Sequence, residues 1–492
     1  MRLRAPPCRG ERLTSQSSGT LVCPPRPVRK EAATPEVSLD AEGNLDPDKA
    51  RNGPWSAGLP GLPAALVKLA GEYGKLPLSR TLEPAIRIAE EGFPVYPRLE
   101  RGYAGKREVL ERYPGTRALF LADGDPPKVG ETLRQPDLAR TLRLIAEHGF
   151  DGFYRGDVAA KLVAGVNAEG GKWTTQELAA YTVREREPIS FGYREWNIVT
   201  APPTSSGGVA LAEMLQVASG WDLSKLDRAQ RVHILVEAMR RAYRDRTIYL
   251  GDPDFTSVPM ERLLSPHYAA GLRATIHPDK ATPSALLPGQ PAPLEDEETT
   301  HFSIIDAEGN MVSATQTINL LYGSGLVPPG TGVILNDEMD DFALKPGTPN
   351  AFGVMGFEAN AVEPGKRMLS SMTPTFMFSP AKVTALGAPG GSRIITEVLL
   401  GILGYDDGLS AGQVAAKPRF HHQWWPDVIS AEDGAFDPQT VAALEAMGHS
   451  VNPNEGTWGI LNTVAWDRVE NTLSAGADPR NPVGSGKVAP LP

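Results

Sequence analysis

Cysteine is nearly missing from this chain of 492 residues, where Cys8 and Cys23 are the only two and both fall in the first 25 positions. A disulfide-stapled scaffold is thereby excluded, and no thiolate metal cluster can be assembled further along. Long apolar runs are missing too. No stretch of 18 apolar residues occurs, so no membrane span is expected. The opening "MRLRAPPCRGERLTSQSSGTLVCPP" is basic but lacks the roughly 7–15-residue apolar stretch of a signal peptide, and no export address is readable in it. Positive charge is also in deficit, with 49 Lys and Arg against 59 Asp and Glu and a net charge of −10. Such a balance gives no general reason to bind nucleic acid or anionic lipid and favours a small-molecule partner. Neither internal repeats nor low-complexity tracts are seen.

What is present is a long, loop-rich globular sequence. Its 50 glycines and 45 prolines stay below the roughly 25% that marks disorder. Length alone allows about three domains of ~150 residues or one large unit of mixed helix and sheet. From residue 64, "AALVKLAGEYGKLPLSRTLEPAIRIAEEGFPV" repeats apolar residues at three and four, predicting two helices parted at Pro77. "QPDLARTLRLIAEHGFDGFY" and "GDVAAKLVAGVNAEGG" predict two more, each stopped by glycine. "REPISFGYREWNIVTAPP" alternates and is rich in β-branched and aromatic residues, which predicts strands. "GGVALAEMLQVASG" and "RAQRVHILVEAMRRAYRDRTIYL" return to helix. Residues 277–298 are proline-rich, acidic at their end and without periodicity, so an exposed, mobile loop is expected there. After it come strands at "HFSIID" and "MVSATQTI" around the turn "AEGN", further strands at "TPTFMF" and "VTALGAP", and a helix at "SRIITEVLLGILGY".

The stretch "EETTHFSIIDAEGNMVSATQTIN" (297–319) sets Thr299 and Thr300 behind four consecutive acids and at the mouth of a strand. A threonine hydroxyl needs a base to become a nucleophile, and an N-terminal threonine can use its own α-amino group, with a pKa of about 7.7–8.0. That chemistry requires a cut just before Thr299, where a mobile acidic linker would allow one. Read alone, the pair is equally an ordinary expression of β propensity.

Downstream motifs decide between the two. "TTHFSIIDAEGNMVSATQTIN", "GVILNDEMDDF", "KRMLSSMTPT", "APGGSR" and "KPRFHHQW" occur in this order, preceded by "YGKLPLSRTLEPAIRIAEEGFPV", "APPTSSGGVAL" and "YLGDPDF". Over roughly residues 50–480 the chain resembles the γ-glutamyltransferase (glutathione hydrolase) family. The resemblance implies an α+β fold, the four-layer αββα sandwich of N-terminal-nucleophile hydrolases. It also implies self-cleavage between Glu298 and Thr299 into two fragments that stay together as a heterodimer, a large one ending at Glu298 and a small one spanning 299–492. Thr299 would then attack twice, first its own preceding peptide bond and later the γ-glutamyl carbonyl. The donors would be glutathione and γ-glutamyl peptides, the acceptors water, amino acids or dipeptides. No cofactor or metal is implied, and the compartment would be periplasmic or extracellular.

Carried over position by position, Thr317 would assist the nucleophile, and the backbone N–H groups of Gly390 and Gly391 would stabilise the oxyanion. Without the resemblance, Gly390-Gly391 would be a plain helix entry, with Ser392 free to cap the helix. Asn319, Glu338 and Asp341 would hold the donor's α-ammonium and Ser370 and Ser371 its α-carboxylate; taken alone, "NDEMDDF" would be a solvated acidic turn. Residues 342–356 resemble a lid, with Phe352 where family members often carry tyrosine. His421 and His422 are expected to be structural. At the start the family's glycine-rich elements are not matched. An ungapped alignment of "RPVRKEAATPE" puts Arg26 at the carboxylate-binding arginine, with Arg29 as runner-up, and residues 1–25 are expected to be unrelated and disordered, with 26–298 as the shortened large fragment. Two rival readings remain open: an acylase for glutaryl-type side chains, and an uncleaved inactive remnant.

Overall fold

The computed structural model describes residues 34–121, 124–287, 299–345, 347–354 and 356–489, and the backbone of two short strands at 2–4 and 20–22. In chain order the elements that matter for the site begin with strand β1 (Arg2–Arg4) and four helices, α1 (Leu62–Tyr73), α2 (Leu78–Glu91), α3 (Pro136–His148) and α4 (Gly156–Ala168). A β-hairpin follows, β2 (Ile189–Tyr193) and β3 (Trp196–Thr200), then helices α5 (Gly207–Ala218) and α6 (Arg228–Tyr249). The second half contributes β4 (Thr299–Ile305), β5 (Asn310–Thr317), β6 (Thr375–Phe378), β7 (Lys382–Gly387), helix α7 (Arg393–Asp406), β8 (Asn462–Asp467) and β9 (Thr472–Gly476).

The helical periodicity read from the sequence is realised. Pro77 sits immediately ahead of α2, where its fixed φ and missing N–H do no harm. Gly149, at φ 58°, closes α3 in a conformation a side chain would strain. The apolar faces of this region bury Phe153, Tyr154, Leu162 and Trp173 and meet the loop after β5 through Leu326 and Leu335.

Six strands form one antiparallel sheet in the order β9-β8-β7-β6-β3-β2. On one face it carries α5, α6 and α7, whose Leu211, Met239 and Ile395 pack with Ile198, Met377, Leu386 and Ala465 from the strands. Against the other face lies the β4–β5 hairpin, extended by β1 along the free edge of β5. Alternation decides which residues face inward. His301, Met311 and Ser313 are buried between the sheets, whereas Phe302 and Ile304 on the outer face keep 42% and 48% of their surface. Met311 joins Val199, Phe376, Val383 and Ala385 in the intersheet core. Close approach is possible because β7 ends in Gly387, where a Cβ would stand 2.3 Å from His301 Cε1. Asn462 Nδ2 donates to the His301 carbonyl at 3.1 Å and Ser313 Oγ to that of Leu386 at 3.1 Å, tying the hairpin to the large sheet. Helices, a six-stranded sheet and a facing hairpin sheet thus make the expected α+β sandwich.

Three expectations need correction. Part of the 277–298 segment is anchored rather than free. Ala281 N donates to the Met447 carbonyl, Thr282 N to Glu237 Oε1, and buried Ser284 receives Arg240 Nη1 on its hydroxyl while its N–H donates to Asp427; residues 288–298 lie outside the described ones. Two stretches of the start are ordered in strands: Arg2–Arg4 pairs with Asn310–Val312, and Thr20–Val22 with Arg184–Arg186. Both occupy edges, where unpaired backbone groups accept any short partner. Ser392 does not cap α7, because its hydroxyl donates to Gln423 Oε1 at 2.6 Å instead.

Candidate active site

Thr299 and Thr317 are direct cross-strand partners at the open end of the hairpin. Both side chains point to the inner face, and Thr299 Oγ1 donates to Thr317 Oγ1 at 3.2 Å. Thr317 is held in turn by the N–H of Asn319, which reaches its oxygen at 2.8 Å. That bond needs a sharp reversal directly after the strand, and Asn319 provides it at φ 75°, a region asparagine tolerates better than most residues. Asn319 is locked by its Nδ2, which donates to the Asp337 carbonyl at 3.2 Å. Two residues below Thr299, His301 sits between Thr315 Oγ1 and Ser303 Oγ, and burial pushes its imidazole down to about 3, so it is neutral.

A cleft opens beside this pair, lined by Thr299, Thr317, Asn319, Asp341, Ser370, Ser371, Gly391 and Arg246 of α6, and roofed by Asn350, Phe352 and Val354. It encloses only about 20 Å³, space for little more than one water. Residues 350–354, within the stretch expected to form a lid, cover this cleft and leave it nearly filled. Among them is Asn350, whose Nδ2 donates to Asp341 Oδ1 at 3.0 Å and whose Oδ1 accepts from the N–H groups of Phe352 and Val354. A second, apolar pocket of about 260 Å³ shares Thr317 and Ser370 with the cleft, and Glu338 lines this pocket rather than the cleft.

Four acids crowd the turn from 337 to 341. Burial, reinforced by the neighbouring charge of Asp340, pushes Asp341 up to about 7, while Arg246 and the Asn350 bond pull it down. Burial first, then Asp341 and Asp337, also drives Glu338 well above the ordinary carboxylate range. Concentrated desolvated acid of this kind is stabilised by a cation brought from outside. Across the cleft, Gly390 and Gly391 have φ of 129° and 47° at the entry of α7. Their carbonyls accept from Arg393 and Ile394, but their N–H groups donate to no described residue. Free donors at a helix start suit an oxyanion. Ser370 Oγ accepts from Met372 N at 3.1 Å and Ser371 Oγ from Arg246 Nη2 at 3.1 Å, which leaves both hydroxyl protons available.

Thr299, Thr317, Asn319, Asp341, Ser370, Ser371 and Gly391 thus meet at one cleft, with Gly390 adjacent in the chain. Arg26, Arg29 and Glu298 lie outside the described residues. His421 bonds Thr396 and Gln423, and His422 bonds Asp427 and is pushed down to about 4 mainly by burial; both are neutral and internal. His233, Glu237 and His449 also cluster. The two rings bond each other at 2.7 Å, and both Glu237 oxygens are taken, by Arg241 and Thr282 N. Their cationic surroundings oppose a metal ion. Sequence reasoning missed Arg246 and Asn350.

The gamma-glutamyltranspeptidase family model matches residues 28–488. The chain belongs to this family. It is 39% identical over 477 residues to the glutathione hydrolase proenzyme of Escherichia coli K12, covering 95% of this chain and 81% of that protein. To the glutathione hydrolase proenzyme of Pseudomonas sp. A14 it is 43% identical over 427 residues, 85% of this chain and 73% of the relative. The crystal structure of a cephalosporin acylase from Bacillus halodurans superposes with a TM-score of 0.81 at 30% identity, over 97% of this chain and 85% of that one. The γ-glutamyltranspeptidase-family sandwich thus also hosts acylases. This family member is an enzyme of the N-terminal-nucleophile class, and no helix among its described residues is long and apolar enough to cross a membrane.

Proposed function

We propose that the chain is a proenzyme that cuts itself between Glu298 and Thr299 and then acts as a γ-glutamyl hydrolase and transferase. The observation that carries this reading is the Thr299–Thr317 hydroxyl pair at 3.2 Å in a cleft that also holds Asp341, Ser370, Ser371 and Gly391. In maturation, Thr299 Oγ attacks the Glu298 carbonyl, the C–N bond breaks to free the Thr299 α-amine and leave an ester, and water hydrolyses that ester to the Glu298 carboxylate and the Thr299 hydroxyl. That amine, with a pKa of about 7.7–8.0, then takes the Oγ proton as Thr299 attacks the donor's γ-carbonyl. The oxyanion is received by the Gly390 and Gly391 N–H groups. The leaving amine departs with a proton, and the γ-glutamyl ester passes to water, an amino acid or a dipeptide. Glutathione and γ-glutamyl peptides are the donors, Asn319 and Asp341 receive the α-ammonium, with Glu338 acting from the adjoining pocket, and Ser370 and Ser371 the α-carboxylate, with Arg26 as the sequence's candidate cation beside them. The two fragments remain a heterodimer in a periplasmic or extracellular setting.

Cleavage tests this reading. Mass analysis of purified protein should find fragments of 298 and 194 residues, the second beginning Thr299-Thr300-His301. Thr299→Ala should remain one chain and release nothing from a γ-glutamyl anilide. A wild-type chain that stays uncut yet hydrolyses the anilide normally sinks the mechanism. The likeness to a cephalosporin acylase keeps a glutaryl-type acylase as the second reading. Preference for glutaryl over γ-glutamyl anilide would favour it.

A further inference from the structure

Arg246 stands on the last turn of α6, buried, with 6% of its surface left, and its guanidinium reaches the cleft beside Thr299. It donates through Nε to Ser206 Oγ at 2.9 Å and through Nη2 to Ser371 Oγ at 3.1 Å. No carboxylate among the described residues lies within ion-pair distance of it. Its neighbours Arg240, Arg241 and Arg244 on the same helix each pair with an acid, Asp427, Glu237 and Asp245 respectively. A buried cation whose partners are two neutral hydroxyls is an expensive arrangement unless an anion arrives.

The direction of the hydrogen bonds shows where that anion belongs. A guanidinium can only donate, so Ser371 Oγ is fixed as acceptor towards Arg246, and its own proton must point elsewhere. Ser206 relays the same charge to the backbone: its hydroxyl donates to the Ser370 carbonyl at 2.7 Å and its N–H to the same oxygen at 2.8 Å, which holds the Ser370-Ser371 turn. Asp341 lines the same cleft with the opposite charge.

We propose that Arg246 is a positioning and specificity residue for the α-carboxylate of the donor, acting through Ser371, which it turns into a one-way donor while supplying the balancing positive charge. The inference rests on the γ-glutamyl reading above and adds to it a residue whose helix lies far from the nucleophile in sequence.

The test compares two anilides that differ only in the carboxylate: γ-glutamyl p-nitroanilide and 4-aminobutanoyl p-nitroanilide, assayed on matured wild type, Arg246→Gln and Arg246→Lys. Arg246→Gln should raise KM for the γ-glutamyl donor about 10- to 100-fold, the range of a lost charge-assisted contact. Its kcat/KM on the aminobutanoyl donor should stay within about threefold of wild type. Arg246→Lys keeps the charge but not the fork and should fall between, which also covers the case in which the glutamine variant fails to mature. Ser371→Ala combined with Arg246→Gln should cost no more than the larger single loss, because both act on one contact. Equal losses on both donors, or additive losses in the double variant, overturn the proposal while leaving the γ-glutamyl reading intact. A wild type that releases neither anilide overturns both.

Discussion

Replacing Asp341 with Asn keeps the size of the side chain and removes the charge, so it isolates what the carboxylate does. Asp341 is half-buried, accepts one hydrogen bond from Asn350 and is pushed up to about 7 by burial and by Asp340. Only its ionised form can receive an ammonium as a charge-assisted pair, and such a bond is worth about 1.5–3 kcal/mol. Asp341→Asn should therefore lower kcat/KM for γ-glutamyl p-nitroanilide by a factor of about 10–150 at pH 8. Glutaryl p-nitroanilide, which lacks the amine, should be affected within about threefold. The pH dependence provides a second, independent check. Below about 7 the Asp341 carboxyl is protonated, and below about 8 the Thr299 amine is too, so both losses deepen as pH falls. Between roughly pH 5 and 6.5, log kcat/KM for the γ-glutamyl donor should fall with a slope near two in wild type and near one in Asp341→Asn. The glutaryl donor should show a slope near one in both. Assays need only initial rates of anilide release on matured enzyme across that range. Equal losses on the two donors, or a slope that the substitution does not change, would falsify the assignment of Asp341 to the ammonium.

Two further expectations bear on other parts of the site. Thr317→Val keeps the β-branched shape but removes the oxygen that receives both Thr299 Oγ1 and Asn319 N, so self-cleavage followed by gel should slow about 10- to 100-fold, while Thr317→Ser cleaves nearly as wild type; equal rates in both variants would refute a role for the hydroxyl. Gly387→Ala would place a methyl 2.3 Å from His301 Cε1, forcing the hairpin off the large sheet, and should cost about 1–3 kcal/mol in a denaturant melt of the matured protein; an unchanged midpoint would show that the sheets are not in close contact there.

Much of this arrangement could be read from residues because it depends on local periodicity. The alternation through 299–305 and 310–317 put Thr299 and Thr317 on one face, and they are register partners. The breaks at Pro77 and Gly149 separate the helices where expected. The misreadings share a physical cause, which is long-range compensation. Ser392 stands where a cap would be, yet Gln423, 31 positions later, offers its hydroxyl a buried acceptor. The proline-rich stretch from 277 looks solvated, but Ser284 is fixed by Arg240 and Asp427 from two other elements. Within "RRAYRDR" (240–246), read only as helix, Arg240, Arg241 and Arg246 are all buried. Nothing near Arg246 in the chain tells that Ser371, 125 positions away, will be its partner.

The distribution of charge around Thr299 carries the specificity argument one step further. Asp341 is held above its ordinary range by burial, and Arg246 is held below its own by the same cause, so the cleft keeps two ionisable groups of opposite sign in a medium that disfavours their charges, with Glu338 raised likewise in the adjoining pocket. A donor carrying an ammonium and a carboxylate on one carbon relieves both signs at once. A glutaryl chain would reach the cation and leave the acids strained, and an aminobutanoyl chain would do the reverse. Sites built from buried polar groups reject analogues that leave those groups unpaired more strongly than apolar pockets reject a missing methylene. Under the proposed reading an ammonium would compete with Asn350 Nδ2, which donates to Asp341 Oδ1, for that oxygen.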